Sequence, residues 1–314
     1  VDSVLNVTGD FKERLICGTK GSHIIVGGFP GAPVGALYVE AQRDGRPFFI
    51  IPWNGLFLIG TTDFFYTGSL DQVAASSEEV DYLISETNRV IPSAKLAVEK
   101  VLYTYSGIRP LPCVEGERES RITRRHIIHD HSTGEMAGPA VQGLISIVGG
   151  KLTTYRSLAE QAVDLIFKKL DRSAPRCLTA DEPLPGAKVA AEFARPAVTV
   201  LDRVDRTFAE FREHFRICSK LTERTTDHLL RVYGVRASEV VALSDISEDL
   251  SEVIDSDTGA IAAEILFAFK QEMSRKSVDA IDRRTMIGLG PSRGRNVIDR
   301  ASSIAKRHLA LDTI

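Results

Sequence analysis

The sequence is poor in cysteine and has no long apolar run, and both absences narrow the class of protein. Its four cysteines, Cys17, Cys113, Cys177 and Cys218, form no C-x-x-C pair and have no histidine cluster beside them. We therefore predict no metal site and a reducing compartment. No run of about eighteen apolar residues occurs, so no membrane-spanning helix is expected, whereas peripheral attachment stays open.

The chain also lacks a strong charge of either sign. A formal net charge of −3 over 314 residues argues against a nucleic-acid-binding protein. An apolar content of 43% and a charged content of 26% are typical of a globular protein with room for two domains. Residues 1–9 are predicted as a strand that begins midway, which indicates a fragment of a longer protein.

The most informative stretch is a predicted strand, a glycine turn and a helix. Residues 144–148 are mostly apolar and β-branched, Gly149 and Gly150 follow, and helical spacing begins soon afterwards. The first N–H groups of a helix have no partner within it, so the turn suits an anion or an electron-rich carbonyl, and Lys151 adds a cation. The helix is predicted to bury one stripe, formed by Leu158, Ala159, Ala162, Val163 and Ile166.

This turn is not a nucleotide phosphate loop. Such a loop needs glycine five residues before Gly150 and serine or threonine after the lysine, and the chain has Ile145 and Leu152 there. The alternative is a plain corner whose glycines only turn the chain.

The residues before this turn alternate between strand and turn signals. Asn54-Gly55 predicts a hairpin turn, and Ser76 with Glu79 forms a capping box that opens a helix ended by Pro92. The strands are predicted at residues 22–26, 47–53, 56–60, 101–105 and 121–129, and the loop between the first two at 27–35.

Helical spacing dominates after a linker rich in proline. The clearest helix covers residues 260–273, and the glycines from Gly288 to Gly294 are predicted as a connection between helices. Basic residues in this region would face a membrane surface or a second subunit, as in a homodimer. The alternative, which we expect, is that they form an ordinary solvated helix face. They are Arg275, Lys276, Arg283, Arg284, Arg293, Arg295 and Arg300.

Polar residues at strand ends form a candidate site. Arg109 lies between Gly107 and Pro110, and Lys151 follows the glycine turn. Arg124 lies on a predicted strand that also carries Ile122, Ile127 and Ile128. Cations cluster only where an anion offsets their repulsion, and arginine forks fit phosphate or carboxylate. His23, Thr62 and Asp63 belong to the same set of candidates. Each residue taken alone is as easily a surface or structural side chain.

An ordered series of motifs resembles the FAD-dependent glycerol-3-phosphate dehydrogenases, and it covers nearly the whole chain. The motifs are Asn6-Val7-Thr8-Gly9, Lys20-Gly21-Ser22-His23, Ile50-Ile51-Pro52-Trp53, Ile59-Gly60-Thr61-Thr62-Asp63, Tyr105-Ser106-Gly107-Ile108-Arg109-Pro110, Ile122-Thr123-Arg124, Gly149-Gly150-Lys151-Leu152-Thr153-Thr154-Tyr155 and Asp282-Arg283-Arg284-Thr285.

The resemblance implies an α+β fold. A D-amino-acid-oxidase-like pair of FAD and substrate domains, with a mixed, largely antiparallel sheet, would precede an α-helical C-terminal domain. The implied segments are 1–18, a remnant of the FAD domain; 19–105, the substrate domain; 106–174, substrate strands and the closing strand and helix of the FAD domain; 175–190, a linker; and 191–314, the helical domain.

The resemblance also implies roles for residues. Arg109, Arg124, Lys151 and Thr62 would bind sn-glycerol 3-phosphate. His23 would take the C2 hydroxyl proton while hydride passes to FAD, because a histidine has a pKa near the working pH; alternatively, Arg109 or Lys151 stabilises the alkoxide. The implied FAD-binding residues are Asn6, Gly9, Gly107, Gly149, Gly150, Leu152 and Thr153.

One departure from the family pattern concerns FAD. The chain has no G-x-G-x-x-G segment for the FAD pyrophosphate. We therefore expect weak FAD binding and little turnover from this chain alone. The implied product is dihydroxyacetone phosphate, the implied electron acceptor a quinone, and the implied location the cytoplasm or the inner face of the membrane. The alternatives are an oxidase that uses oxygen, and a binding module that recognises the phosphate ligand without catalysis.

Overall fold

The structure is a computed structural model. It describes residues 1–9, 14–114, 122–134, 138–188 and 200–309, with side chains from residue 208 onward in the last range. The chain divides into two compact units, Val1–Ala180 and Asp181–Ile314. Among the described residues, no helix is both long and apolar enough to cross a bilayer.

An antiparallel sheet of six strands forms the centre of the first unit. Strand β1 pairs with β4, β5 and β6, and β3 pairs with β2 and β4. The predicted hairpin is confirmed, because Trp53 pairs with Leu56 across the Asn54-Gly55 turn. The strands are β1 (Thr19–Val26), β2 (Leu37–Glu40), β3 (Pro47–Trp53), β4 (Leu56–Gly60), β5 (Phe64–Phe65) and β6 (Val101–Arg109).

Helix α2 (Ser77–Val90) covers one face of this sheet. Its predicted capping box is confirmed: the Ser76 hydroxyl accepts from the Glu79 N–H, and the Glu79 carboxylate accepts from the Ser76 N–H. The apolar side of the helix packs on alternate residues of the strands, which bury one face of the sheet. The opposite face is therefore available for a site. Fully buried members of this core include Ile24, Phe48, Ile50, Ile59 and Leu83.

The N-terminal stretch corrects the sequence-based prediction. Residues predicted as a strand form helix α1 (Asp2–Thr8), of which only Leu5 is buried. The β-branched composition favoured a strand, but Val1, Val4 and Leu5 have the i, i+3, i+4 spacing of a helix. A second unforeseen feature is the disulfide between Cys17 and Cys113, which are 96 positions apart in the sequence.

The predicted strand, glycine turn and helix are present, with differences in detail. Strands β7 (Ile127–Asp130) and β8 (Ile145–Val148) form a two-stranded antiparallel sheet, and helix α3 (Tyr155–Lys169) follows the turn. The strand predicted at 121–129 is shorter, and residue 121 lies outside the described residues. The stripe of α3 is not buried as predicted: Val163 and Ile166 are 47% and 45% exposed. An apolar stripe shows which side of a helix favours burial, but it does not provide the surface that buries it.

The second unit is helical, as predicted, apart from two short strands. Helix α7 is apolar from Ala262 to Ala268 except for Glu264, and all of these residues are buried. The glycines around Gly290 connect α8 to α9, also as predicted. The elements are α4 (Val200–Ser219), α5 (Glu223–Tyr233), α6 (Ala237–Ala242), β9 (Val253–Asp255), β10 (Ala260–Ile261), α7 (Ala262–Gln271), α8 (Ser277–Arg283) and α9 (Ile298–Leu309).

Candidate active site

The candidate site is built on the face of the sheet opposite to α2. Strand register places His23 opposite Tyr105, Gly21 opposite Gly107 and Thr19 opposite Arg109. Side chains two positions apart share a face of a strand, so the His23, Tyr105 and Arg109 side chains lie on the same side of β1 and β6. The intervening Ser22 points to the α2 side, where its hydroxyl donates to the Glu79 carboxylate.

His23 is held as a neutral imidazole. Its ring stacks on Tyr105 with 4.8 Å between centroids, and it is only partly exposed. Burial and the nearby Arg109 charge lower its pKa to about 4, because both disfavour the imidazolium. This is below the near-neutral value expected of the sequence-predicted base. Its Nδ1 is buried and, within the described part of the chain, has no hydrogen-bond partner.

Arg109 and Arg124 meet at one carboxylate. Arg109 Nη1 donates to Asp63 Oδ1 at 3.0 Å, and Arg124 Nη2 donates to Asp63 Oδ2 at 3.2 Å. Arg109 Nη2 also donates to Thr61 Oγ1 at 3.1 Å. Asp63 thus offsets the repulsion between two cations and fixes their separation. Burial lowers the Arg109 pKa, an effect that Asp63 opposes.

The absence of a side chain at Gly21 makes room for Arg109. A Cβ built at Gly21 would overlap both terminal guanidinium nitrogens of Arg109 and the Thr61 hydroxyl. Gly21 belongs to the Lys20-Gly21-Ser22-His23 motif, in which its own role is not evident from the sequence. The need for glycine at position 21 follows only from the pairing of β1 with β6, which brings Arg109 next to it.

Thr62 corrects another sequence-based assignment. Its side chain was expected to bind substrate, but the residue is 1% exposed. Its hydroxyl donates to Glu79 and accepts from the Ser22 N–H, so both hydrogen-bonding directions are already used within the protein. Thr62 therefore positions the backbone beside Asp63 and does not itself reach a ligand.

Lys151 and Arg124 line one cavity of about 570 Å³. The cavity lies between the segment that precedes β7 and the start of the turn into α3; its lining includes Thr123, His126 and Thr154. Arg124 reaches from this cavity to Asp63, so it connects Lys151 with the Arg109 cluster. Its side chain is 48% exposed, which leaves donors available to a ligand.

The turn before α3 presents unpaired donors. Gly149 and Gly150 have φ angles of 73° and 102°, a region that favours glycine. The Gly149 N–H donates to the Pro110 carbonyl at 3.0 Å, which ties the turn to the end of β6. Among the hydrogen bonds of the described residues, none is donated by the backbone N–H groups of Lys151, Leu152 and Thr153. Such a donor set fits the carbonyl edge of a flavin.

The remaining predicted FAD-binding residues are spread over two elements. Gly107 lines a cavity of about 560 Å³ together with Asp2 and Pro110. Asn6 is exposed on α1, and Gly9 ends that helix. Neither residue is among the described residues that line this cavity. Pro110 links this cavity to the glycine turn. The structure therefore associates Gly107 with the turn, whereas the roles of Asn6 and Gly9 stay predictions.

Two family models match consecutive parts of the chain. The model for FAD dependent oxidoreductases matches residues 2–156, and the model for the C-terminal domain of alpha-glycerophosphate oxidase matches residues 177–313. The chain belongs to the FAD dependent oxidoreductase family. This confirms the family to which the motifs pointed, and with it the expected antiparallel sheet followed by a helical domain.

Individual members of this oxidoreductase family agree with the match. The chain is 47% identical over 278 residues to a glycerol-3-phosphate dehydrogenase of Synechocystis, covering 88% of this chain and 46% of that protein. It is 33% identical over 290 residues to a D-erythritol 1-phosphate dehydrogenase of Brucella abortus, covering 90% and 52%. The chain thus spans about half the length of these curated relatives.

A solved structure supports the same fold. The FAD complex of the glycerol-3-phosphate dehydrogenase from Bacillus halodurans superimposes with a TM-score of 0.72, over 95% of this chain and 54% of that one. At 24% identity, this likeness concerns the oxidoreductase fold alone.

Proposed function

We propose that this chain carries the substrate-binding part of an FAD-dependent dehydrogenase that oxidises sn-glycerol 3-phosphate to dihydroxyacetone phosphate. The observation that carries the proposal is the convergence of Arg109 and Arg124 on Asp63, on the same sheet face as a neutral histidine with an unpartnered nitrogen. The 47% identity to a glycerol-3-phosphate dehydrogenase supports this substrate over the erythritol phosphate named for the more distant relative.

The substrate phosphate would lie between Arg124 and Lys151. These two side chains share a cavity, and half of Arg124 is exposed there. A phosphate dianion would be held by guanidinium and ammonium donors while Asp63 keeps Arg124 in place.

The C2 hydroxyl would lie near His23 and Arg109. His23 is neutral at pH 7 because its pKa is about 4, so one of its two ring nitrogens carries a lone pair that can accept a hydrogen bond or a proton. Arg109 would stabilise the oxygen as negative charge develops on it. FAD, when bound, accepts the hydride from C2, and the N–H groups of Leu152 and Thr153 would face its carbonyl edge. We propose a quinone as the final electron acceptor.

The test is anaerobic addition of sn-glycerol 3-phosphate to protein loaded with FAD. Loss of the flavin absorbance at about 450 nm, with formation of dihydroxyacetone phosphate, supports the proposal. D-erythritol 1-phosphate should react more slowly. Reoxidation that is faster with a soluble quinone than with oxygen favours a dehydrogenase over an oxidase.

A matched pair of variants connects this activity to the site. Arg124→Gln should weaken sn-glycerol 3-phosphate binding roughly tenfold or more, because a charge-assisted contact to phosphate is lost. Arg89→Gln is the control, since Arg89 pairs with Glu86 on α2 at the other face of the sheet. Substrate binding that is independent of FAD, without any flavin reduction, would instead support the non-catalytic binding module.

A further inference from the structure

One row of residues crosses the sheet through His23. Strand pairing aligns Tyr38, Phe49, Gly60, His23 and Tyr105, which lie on β2, β3, β4, β1 and β6 in that order. Residues that are directly paired across strands point to the same face of a sheet, so the whole row lies on the face opposite to α2. Every position of the row carries a ring except Gly60, which is next to His23.

Gly60 leaves room for the His23 ring. A Cβ built at position 60 would overlap His23 Cδ2 and Cγ. This edge of the imidazole therefore occupies the space that a side chain on β4 would fill. The ring leans over the backbone of β4, and that backbone limits its movement in this direction.

Tyr105 covers the His23 ring from the other side. The two ring centroids are 4.8 Å apart, and the ring planes differ by 14°, which is a stacked arrangement. In the described sheet, β6 pairs with β1 alone, and Tyr105 is 43% exposed. Its ring thus lies between His23 and the solvent beyond the edge of the sheet.

The charged groups near His23 are already arranged among themselves. Arg109, on the same face, lowers the His23 pKa in addition to burial, and its guanidinium donates to Asp63. Glu79 and Lys20 pair with each other on the α2 side. Burial is the larger cause of the lowered pKa, so a loss of cover over the ring should raise it by admitting water to the imidazolium.

We propose that Tyr105 is a positioning residue for His23: its ring holds the imidazole over Gly60 and keeps water from it. The neutral, oriented imidazole then meets the C2 hydroxyl of the substrate ready to accept its proton. The role in catalysis rests on the proposed oxidation of sn-glycerol 3-phosphate. The packing of Tyr105 on His23 can be tested without that reaction.

The first test is an NMR titration of His23 in the full chain without flavin or substrate. Tyr105→Val keeps a residue that favours strands but removes the ring, and it should raise the His23 pKa from about 4 by about one unit or more. Tyr105→Phe keeps the ring and should retain the parent pKa. Tyr38→Val is the matched control, because Tyr38 is an exposed tyrosine of the same row whose ring contacts Phe49.

The second test separates binding from catalysis in protein loaded with FAD. The rate of flavin reduction by sn-glycerol 3-phosphate should fall toward acid pH as His23 becomes protonated. Tyr105→Val should move this acid limb of kcat to higher pH by the same shift as the His23 pKa, and Tyr105→Phe should restore the parent profile. KM should change little, because the proposed phosphate site lies at Arg124 and Lys151.

Three outcomes overturn the proposal. They are an unchanged His23 pKa in Tyr105→Val, an equal shift in Tyr38→Val, and a Tyr105→Phe variant that behaves like Tyr105→Val, which would assign the effect to the hydroxyl. If Tyr105→Val does not fold, nuclear Overhauser contacts between the two rings in the parent decide: their presence supports the stacking, and their absence refutes it. A parent protein that never reduces flavin would refute the proposed reaction, whereas the titration would still decide whether Tyr105 holds His23.

Discussion

Glu79 joins three elements beneath the candidate active site, and its removal gives the sharpest prediction. One carboxylate oxygen accepts from the hydroxyls of Ser22 and Thr62 at 2.8 and 2.7 Å. The other accepts from the Ser76 N–H at 2.9 Å and pairs with Lys20 Nζ at 2.8 Å. Ser22 adjoins His23 in the chain, and Thr62 adjoins Asp63, so the carboxylate fixes both segments.

The magnitude follows from these contacts. Glu79 is 3% exposed, so Glu79→Ala removes a buried acceptor of the Thr62 and Ser22 hydroxyls and the charged partner of Lys20, whose ammonium keeps the Ala74 carbonyl as an acceptor. Removing one partner of a buried ion pair costs about 3–5 kcal/mol of unfolding free energy. Glu79→Gln keeps the shape, and its amide can donate to the hydroxyls while its carbonyl accepts from Ser76. We expect it to cost about 1–2 kcal/mol, the difference between charged and neutral hydrogen bonds.

Urea unfolding provides the assay, because the single tryptophan, Trp53, lies on β3 of the same sheet. Its fluorescence reports the first unit, and far-ultraviolet circular dichroism adds the helical unit. Glu78→Gln is the matched control: Glu78 is the preceding residue, also acidic, and exposed. A midpoint for Glu79→Ala that equals the midpoint for Glu78→Gln would refute this account of the network.

The pH dependence gives an independent check on the same group. Burial raises the Glu79 pKa, but hydrogen bonds from Lys20, Ser76, Thr62 and Ser22 outweigh it, and the net pKa is lowered from 4.5. A carboxyl whose folded pKa is depressed stabilises the protein above its unfolded pKa, and this stability is lost as the pH falls through the folded value. As the pH is lowered below about 5, the free energy of unfolding of Glu79→Gln should therefore decrease less than that of the parent protein.

Three further predictions concern other parts of the first unit. The His23 ring should titrate near pH 4 by NMR. Because this folded pKa is below the unfolded value of 6.5, the free energy of unfolding should decrease as the pH falls from 6.5 through 4. His23→Gln should remove this decrease. Gly149→Ala should cost about 1–2 kcal/mol and speed amide exchange in the turn, since φ is 73° and the new Cβ would lie 3.0 Å from the Arg125 carbonyl; unchanged exchange would contradict this. Without reductant, two of the four cysteines should react with a thiol reagent, and Cys17→Ser with Cys113→Ser should leave that number unchanged; four reactive thiols in the parent would show the pair reduced.

Local signals in the sequence determined much of the architecture. The hairpin at Asn54-Gly55 was predictable because that dipeptide suits a tight turn, and α2 was predictable because Ser76 and Glu79 cap it through contacts three residues apart. The glycine turn before α3 and the apolar helix α7 also depend on short-range patterns. The ordered motifs further identified Arg109, Arg124 and His23, but as separate candidates.

Only the tertiary structure brought those candidates together. Asp63 bridges Arg109 and Arg124 across 46 and 61 positions of sequence, and no local pattern encodes such a contact. Thr62 was predicted to bind substrate because it is a polar residue at the end of a strand, whereas its hydroxyl is bonded to Glu79 and to the Ser22 N–H. Composition and spacing report what a residue favours; which side chains share a face, which are buried and which cations share one carboxylate depend on the register and packing of distant strands.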